Sequence, residues 1–160
     1  MVKLHLLPLA VLSITSLAAC VTVADEVAPK QVLWENTGDR TVELVDLQTQ
    51  KVLRKLDAGE SPYGVAVSPD GKEIAVGVEG EGRVKFFRTS NFTPHAEVVI
   101  GEMHHDHIVL TPDGKYLLDT NYHSGTVVGI ELATMKEAFR IRGCSAPHVV
   151  KYGPKGRLGM

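Results

Sequence analysis

Residues 61–78 read SPYGVAVSPDGKEIAVGV, and the motif SPDGK within them, at residues 68–72, recurs along the chain. It returns as TPDGK at residues 111–115 and, in a weaker form, as GPKGR at residues 153–157. Proline at the second position presets φ for a tight turn, and glycine at the fourth position accepts a positive φ. Because apolar and small residues alternate beside the turn, the motif predicts a hairpin that joins two β-strands.

A second set of matching segments has the same spacing. TVELV at residues 41–45 aligns with RVKFF at residues 83–87 and with TVVGI at residues 126–130. Two independent landmarks with a common period of 42 to 43 residues indicate one structural unit copied along the chain. A period in this range with strand-like residues is typical of β-propeller blades. The sequence therefore predicts an all-β fold, a β-propeller built from four-stranded antiparallel blades.

The period divides the chain after its first 30 residues into consecutive blades. We expect a first blade without its innermost strand, then two complete blades, then the start of another, at residues 31–58, 59–100, 101–142 and 143–160.

Two local features of the repeat carry further expectations. ATMKEAF at residues 133–139 has helical character in isolation, but its counterpart QTQKVL at residues 48–53 occupies the same place in the repeat. We therefore predict that both segments form the turn into the outer strand of their blade. Between blades, we expect the aromatic residues Trp34, Phe86 and Phe87 to lie in the core.

Composition bounds the class of protein. The chain has 160 residues, of which 44% are hydrophobic and 22% charged, so it suits one folded domain and not a disordered polar chain. Its formal net charge of −2 supplies no basic excess for nucleic-acid binding. The two cysteines, Cys20 and Cys144, exclude a disulfide-stapled miniprotein.

The first twenty residues, MVKLHLLPLAVLSITSLAAC, have the layout of a secretory signal peptide. Lys3 precedes an apolar stretch that is too short and too often interrupted for a membrane anchor. Residues 17–20 (LAAC) resemble the lipobox of bacterial lipoproteins. The resemblance implies a signal peptide at residues 1–19, a lipidated Cys20 as first mature residue, and a tether at residues 20–30. Val21 then implies the outer membrane, on the periplasmic side of the cell envelope.

Two stretches resemble YVTN-type β-propeller repeats: residues 61–78, and LTPDGKYLLDTNYHSGTVVGI at residues 110–130. That family is similar to lactonase-type propellers and to the haem-binding propeller of periplasmic nitrite reductases. The resemblance covers residues 31–160 and implies a seven-bladed architecture, of which this chain would fill about half. We therefore expect a truncated fragment, one half of a split protein, or a chain that closes its propeller with a protein partner or by self-association.

Five histidines lie in loops that the blade layout places on one rim of the propeller: His104, His105, His107, His123 and His148. His95 is expected on a loop at the opposite face. Neutral imidazoles bind transition metals and haem iron, and Asp106 can bind the same ion or orient an imidazole. We expect Cys144 to be a free buried thiol or an additional soft ligand. A polar small-molecule pocket without metal and a merely solvated rim remain open as alternatives.

Three functions follow as hypotheses. The first is a lipid-anchored binding module that holds a transition metal or haem through the rim histidines. The second, which the family resemblance implies, is a lactonase-type hydrolase or another propeller oxidoreductase. The third is a protein-interaction scaffold with no cofactor.

Overall fold

The computed structural model describes residues 30–101 and 105–152, apart from the side chain of His105. Within these residues the chain forms eleven β-strands and a short 3-10 turn at Glu79–Glu81. The first sheet contains β1 (Gln31–Asn36), β2 (Thr41–Asp46) and β3 (Lys51–Asp57). The second contains β4 (Pro62–Val67), β5 (Glu73–Val78), β6 (Arg83–Arg88) and β7 (Pro94–Val99). The third contains β8 (His105–Leu110), β9 (Tyr116–Asn121), β10 (Thr126–Glu131) and β11 (Lys136–Arg142).

Each sheet is an antiparallel meander in which every strand pairs with the next one along the chain. The prediction of an all-β propeller with four-stranded antiparallel blades is therefore confirmed for the second and third sheets. The first strands of these two sheets, β4 and β8, pack against each other, and β4 also contacts β1. This is the arrangement of inner strands around a propeller channel.

The repeated turns form as the sequence predicts. In the first copy the Gly71 amide donates to the Ser68 carbonyl oxygen (2.8 Å), and Gly71 has a φ of 70°. The Ser68 hydroxyl donates to Asp70 Oδ1 over 2.6 Å, and this hydrogen bond is the largest cause of the lowered pKa of Asp70. The second copy, at residues 111–115, repeats these contacts. The third copy, at residues 153–157, lies outside the described residues.

Two apolar cores lie between the three sheets. Phe86 and Phe87 are adjacent in β6, so their side chains point to opposite faces of the second sheet. Both are buried, as predicted. The core between the second and third sheets consists of Ala75, Val84, Phe86, Val98, Ile100, Ile108, Leu117, Val128 and Ile130. The core between the first and second sheets consists of Val42, Leu56, Ala58, Ile74, Val76, Val78 and Phe87.

Three expectations need correction or confirmation at residue level. Trp34 is 50% exposed, so its prediction as core is wrong. Its neighbour Leu33 packs against the core between the first and second sheets. Adjacent strand residues point to opposite faces, so Trp34 lies on the other face of the first sheet, where no described blade covers it. His95 lies within strand β7, not on a loop. The turn interpretation of residues 48–53 and 133–139 holds for residues 48–50 and 133–135, while residues 51–53 and 136–139 already belong to β3 and β11.

Several predictions fall on residues outside the described ranges. These are the signal peptide, the lipidated Cys20 and most of the tether within residues 1–29, together with His104 and the chain from residue 153 onward. Among the residues that are described, no helix is long and apolar enough to cross a membrane.

Candidate functional site

The structure brings two of the five predicted histidines together with an acidic residue. Asp106 and His107 lie in β8, and His148 lies in the extended segment that follows β11. His148 Nδ1 is 3.6 Å from Asp106 Oδ2, which is an ion-pair distance but longer than a hydrogen bond. We call Asp106, His107 and His148 the rim cluster.

Strand β9 holds the two halves of the rim cluster in place. The hydroxyl of Thr120 lies 3.1 Å from the carbonyl oxygen of His107 and 3.0 Å from that of His148. Earlier in the same segment, the Cys144 amide donates to the carbonyl oxygen of Gly125 over 3.2 Å. The segment that carries His148 is therefore tied to the third sheet at two points.

Tyr122 connects His123 to the rim cluster. Its ring lies edge-on to the imidazole of His123, with 5.2 Å between centroids, and edge-on to that of His148, with 5.8 Å between centroids. His123 thus neighbours the rim cluster through the ring of Tyr122. His104 and the side chain of His105 lie outside the described residues.

Two buried polar atoms of the cluster lack a hydrogen-bond partner among the described residues: Asp106 Oδ2 and His107 Nδ1. Leaving a buried acceptor or donor unsatisfied costs about 1–3 kcal/mol. Such atoms recur at sites that receive a ligand, an ion or water. The imidazole and carboxylate of the rim cluster therefore have bonding capacity that the described protein groups do not use.

Burial lowers the pKa of His107, and the positive charge of Lys151 lowers it further. Glu35 and Asp106 act in the opposite direction, and His148 adds a smaller lowering effect. The net result keeps the imidazole of His107 neutral to a lower pH than in a solvated histidine. A neutral imidazole is the form that binds metal ions.

We expect the fold to lose stability as the pH falls below about 6.5, the ordinary histidine pKa. Because the pKa of His107 is lowered in the folded state, the unfolded chain takes up this proton first. The stability that neutral His107 confers is therefore fully present above a pH of about 6.5. It is lost as the pH falls from about 6.5 to the lowered pKa of His107 in the folded state. Urea denaturation of the wild type and of His107→Gln at pH 7.5 and 5.5 measures this difference. An equal loss of stability in both proteins would contradict it.

Sequence reasoning missed the polar end of β9. Asp119, Thr120 and Asn121 are all buried, and the Asn121 side-chain amide donates to Asp119 Oδ2 over 3.3 Å. The signal was present, because three consecutive polar residues end the otherwise apolar strand YLLDTN. In this structure the run supplies hydrogen bonds next to the rim cluster, through Thr120, and within β9, between Asn121 and Asp119.

The sixth histidine outside the first twenty residues, His95, and the predicted soft ligand Cys144 both stand apart from the cluster. His95 Nε2 lies 3.2 Å from Glu73 Oε1 in the second sheet, beside a cleft of about 470 Å³ lined by Asp57, Lys85 and Phe87 among others. Cys144 is a free, half-buried thiol. Within the described part of the chain, no three histidine, cysteine, aspartate or glutamate side chains are arranged to hold a metal ion. In the rim cluster, the donor atoms that approach each other are Asp106 Oδ2 and His148 Nδ1.

Comparisons with known proteins agree with this architecture. A family model described as "Lactonase, 7-bladed beta-propeller" matches residues 35–154. Hydrazine synthase of Kuenenia stuttgartiensis superposes with a TM-score of 0.73 at 23% identity, over 79% of this chain and 37% of that one. Dihydro-heme d1 dehydrogenase NirN, solved in complex with DHE, superposes with a TM-score of 0.59 at 18% identity, over 81% of this chain and 26% of that one. No curated protein matches the sequence.

At these identities, the likeness to the two solved structures shows the fold alone. This chain spans little more than a third of the first structure and about a quarter of the second. The family model, in contrast, matches most of the sequence, including all three sheets from Glu35 onward. The chain belongs to the seven-bladed lactonase β-propeller family.

Proposed function

We propose that this chain is a binding module of the cell envelope whose rim cluster binds a transition-metal ion. The observation that carries this proposal is the buried, unsatisfied Asp106 Oδ2, only 3.6 Å from His148 Nδ1. Both atoms belong to groups that bind metal ions directly.

The spacing of these two atoms suits a shared ion. Nitrogen and oxygen ligands lie about 2.0–2.2 Å from Zn²⁺ in tetrahedral sites, which separates two ligand atoms on one ion by about 3.5 Å. Mixed imidazole and carboxylate ligation suits Zn²⁺ and other divalent first-row metals. An ion at this position would also satisfy the orphaned Asp106 oxygen. The sequence offers further candidate ligands in His104, His105 and His107, and His123 lies against Tyr122 beside the cluster.

Zinc titration by calorimetry tests this site on the full chain. We expect wild type to bind Zn²⁺ and the double variant Asp106→Asn/His148→Ala to bind at least about 10-fold more weakly. His95→Ala is the matched control, because it removes an imidazole from the second sheet and should bind zinc like wild type. Equal affinity in all three proteins would contradict a metal site at the rim cluster.

Haem is the other ligand that the family resemblance offers for these histidines. Visible absorbance of the purified chain after incubation with haem separates the two cases. We expect zinc binding without a histidine-ligated haem spectrum. The donor pair that meets at the cluster among the described residues is His148 and Asp106, and one of these two is a carboxylate rather than an imidazole. A haem spectrum that disappears in His148→Ala would replace the metal ion with haem as the ligand.

We further propose that Cys20 carries the lipid that anchors the module to the periplasmic side of the outer membrane. The apolar run that ends in LAAC supports this assignment. Cys20→Ser should move the protein from the membrane fraction to the soluble fraction or leave an uncleaved precursor. The control is Cys144→Ser, which should fractionate like wild type. Unchanged processing and fractionation of Cys20→Ser would contradict lipidation.

A second candidate function is lactone hydrolysis, which the family match over residues 35–154 favours. Turnover of a simple lactone by the zinc-loaded chain, followed by acid release, measures it. Turnover that falls in Asp106→Asn and persists in His95→Ala would make the rim cluster an active site. Zinc binding without turnover would leave the chain a binding module.

A further inference from the structure

We propose that Tyr63 belongs to the ligand site at the rim, where its hydroxyl donates a hydrogen bond to a carboxylate ligand held by the metal ion. This role for Tyr63 rests on the proposed metal site, and it names the class of ligand that the ion would take. Tyr63 lies in β4, the inner strand of the second sheet, whereas the rim cluster comes from β8 and the segment after β11.

Tyr63 occupies the position in β4 that Asp106 occupies in β8. It precedes the turn motif at residues 68–72 by as many residues as Asp106 precedes the motif at residues 111–115. His148 precedes the weaker third copy of the motif by the same number of residues. The carboxylate and the imidazole that approach each other in the rim cluster therefore share their place in the repeat with this tyrosine.

A β-bulge accompanies this position in both inner strands. The register of β4 on β5 shifts between Pro62 and Val65, a stretch that includes Tyr63. The register of β8 on β9 shifts in the same way in the stretch that includes Asp106. Bulges re-aim side chains and recur at the rims of closed sheets and next to functional sites. The irregular backbone at Asp106 is thus repeated at Tyr63, one blade away.

Close packing of β4 against β8 sets the two positions side by side. A Cβ added at Gly64 would lie 3.4 Å from the backbone nitrogen of Ile108 and 3.9 Å from the carbonyl carbon of His107. Gly64 follows Tyr63 and His107 follows Asp106, so this backbone contact adjoins both residues. Tyr63 is 41% exposed, so its side chain remains accessible to a ligand. A molecule bound at Asp106 therefore has Tyr63 as its neighbour on the side of the second sheet.

The charges around the rim cluster favour an anionic ligand once a metal ion is bound. The positive charge of Lys151 and the negative charge of Glu35 both act on His107, in opposite directions. A divalent ion exceeds the single negative charge of Asp106, so the loaded site is positive. A carboxylate can bind the ion through one oxygen and accept a hydrogen bond on the other. A tyrosine hydroxyl supplies the donor for that second oxygen.

Acetate titration of the cobalt-loaded full chain tests the role of Tyr63. Co²⁺ stands in for Zn²⁺ because its visible absorbance changes when a ligand joins the ion. We expect acetate to change this absorbance in the wild type and to bind about 10-fold more weakly to Tyr63→Phe, which lacks the charge-assisted hydrogen bond. Cobalt itself should bind to Tyr63→Phe as to the wild type, because the substitution leaves the metal-binding groups unchanged.

Tyr116→Phe is the matched control for the acetate titration. Tyr116 is the first residue of β9, whereas Thr120 and Asn121, next to the rim cluster, end that strand. The substitution removes the same hydroxyl from the other end of the sheet. We therefore expect Tyr116→Phe to bind both cobalt and acetate like the wild type.

The possible results separate the role of Tyr63 from the metal site. A wild-type chain that binds no cobalt would contradict the metal site, and the role of Tyr63 would fail with it. Cobalt binding without any response to acetate would overturn the carboxylate ligand and leave the metal site standing. Equal acetate affinity in the wild type and Tyr63→Phe, or equal weakening in Tyr63→Phe and Tyr116→Phe, would overturn the role of Tyr63 alone.

Discussion

Phe86→Ala should be among the most destabilising core truncations in the described part of the chain. Phe86 is fully buried and contributes to the core that joins the second and third sheets. Replacing a buried phenylalanine with alanine costs about 3–5 kcal/mol, because apolar contact is lost and a cavity remains. A domain of this size has a total free energy of unfolding of about 5–15 kcal/mol. Urea denaturation followed by circular dichroism should therefore show a midpoint far below that of wild type.

Phe139→Ala is the matched control for this measurement. Phe139 lies in the outer strand β11, is 39% exposed, and contacts Tyr116 at 5.6 Å between ring centroids. Its truncation removes the same atoms from a much more solvated position, so we expect a clearly smaller loss of stability. Equal destabilisation by the two variants would mean that the inter-blade core does not hold the sheets together as described.

Gly125→Ala should detach the segment that carries His148. Gly125 has a φ of 65°, where alanine is strained by about 1 kcal/mol, and an added Cβ would lie 2.5 Å from the Cys144 carbonyl oxygen. That contact is with backbone, so Cys144 and the chain after it must move. We expect a lower melting temperature together with at least about 10-fold weaker zinc binding, as when an orienting contact of a metal site is lost.

Gly71→Ala separates the clash from the backbone strain. Gly71 has a similar φ of 70°, but an added Cβ there would meet nothing within 4 Å. We therefore expect this variant to lose about 1 kcal/mol of stability and to bind zinc like wild type. If Gly71→Ala and Gly125→Ala weakened zinc binding equally, the docking of the segment at Cys144 would have no role in the site.

The fold could be predicted from the sequence because the same turn motif occurs twice, at residues 68–72 and 111–115. Serine or threonine, proline, aspartate and glycine each have a local reason to stand at their turn position, and the structure realises both copies with the same hydrogen bonds. Trp34 was misplaced for a non-local reason. Periodicity shows that a strand has two faces, but whether a neighbouring blade covers the second face depends on what packs beside it.

The candidate site could be predicted only in part from the sequence. The repeat pointed to the blade junctions that carry His107 and His148, but the prediction of a loop at His107 is wrong, because this residue lies within strand β8. The role of Thr120 could not be derived, since its hydroxyl reaches two carbonyl oxygens that are 41 residues apart in sequence, those of His107 and His148. Such a contact depends on the path of the chain after β11, where the structure describes no further strand.

X-ray absorption at the zinc edge of the zinc-loaded full chain tests the central proposal most directly, because it reports the atoms around the ion. We predict a first shell of nitrogen and oxygen that contains imidazole, with imidazole scattering reduced in His148→Ala and retained in His95→Ala. A shell of oxygen alone, or imidazole scattering that is unchanged in His148→Ala, would contradict a metal site at the rim cluster.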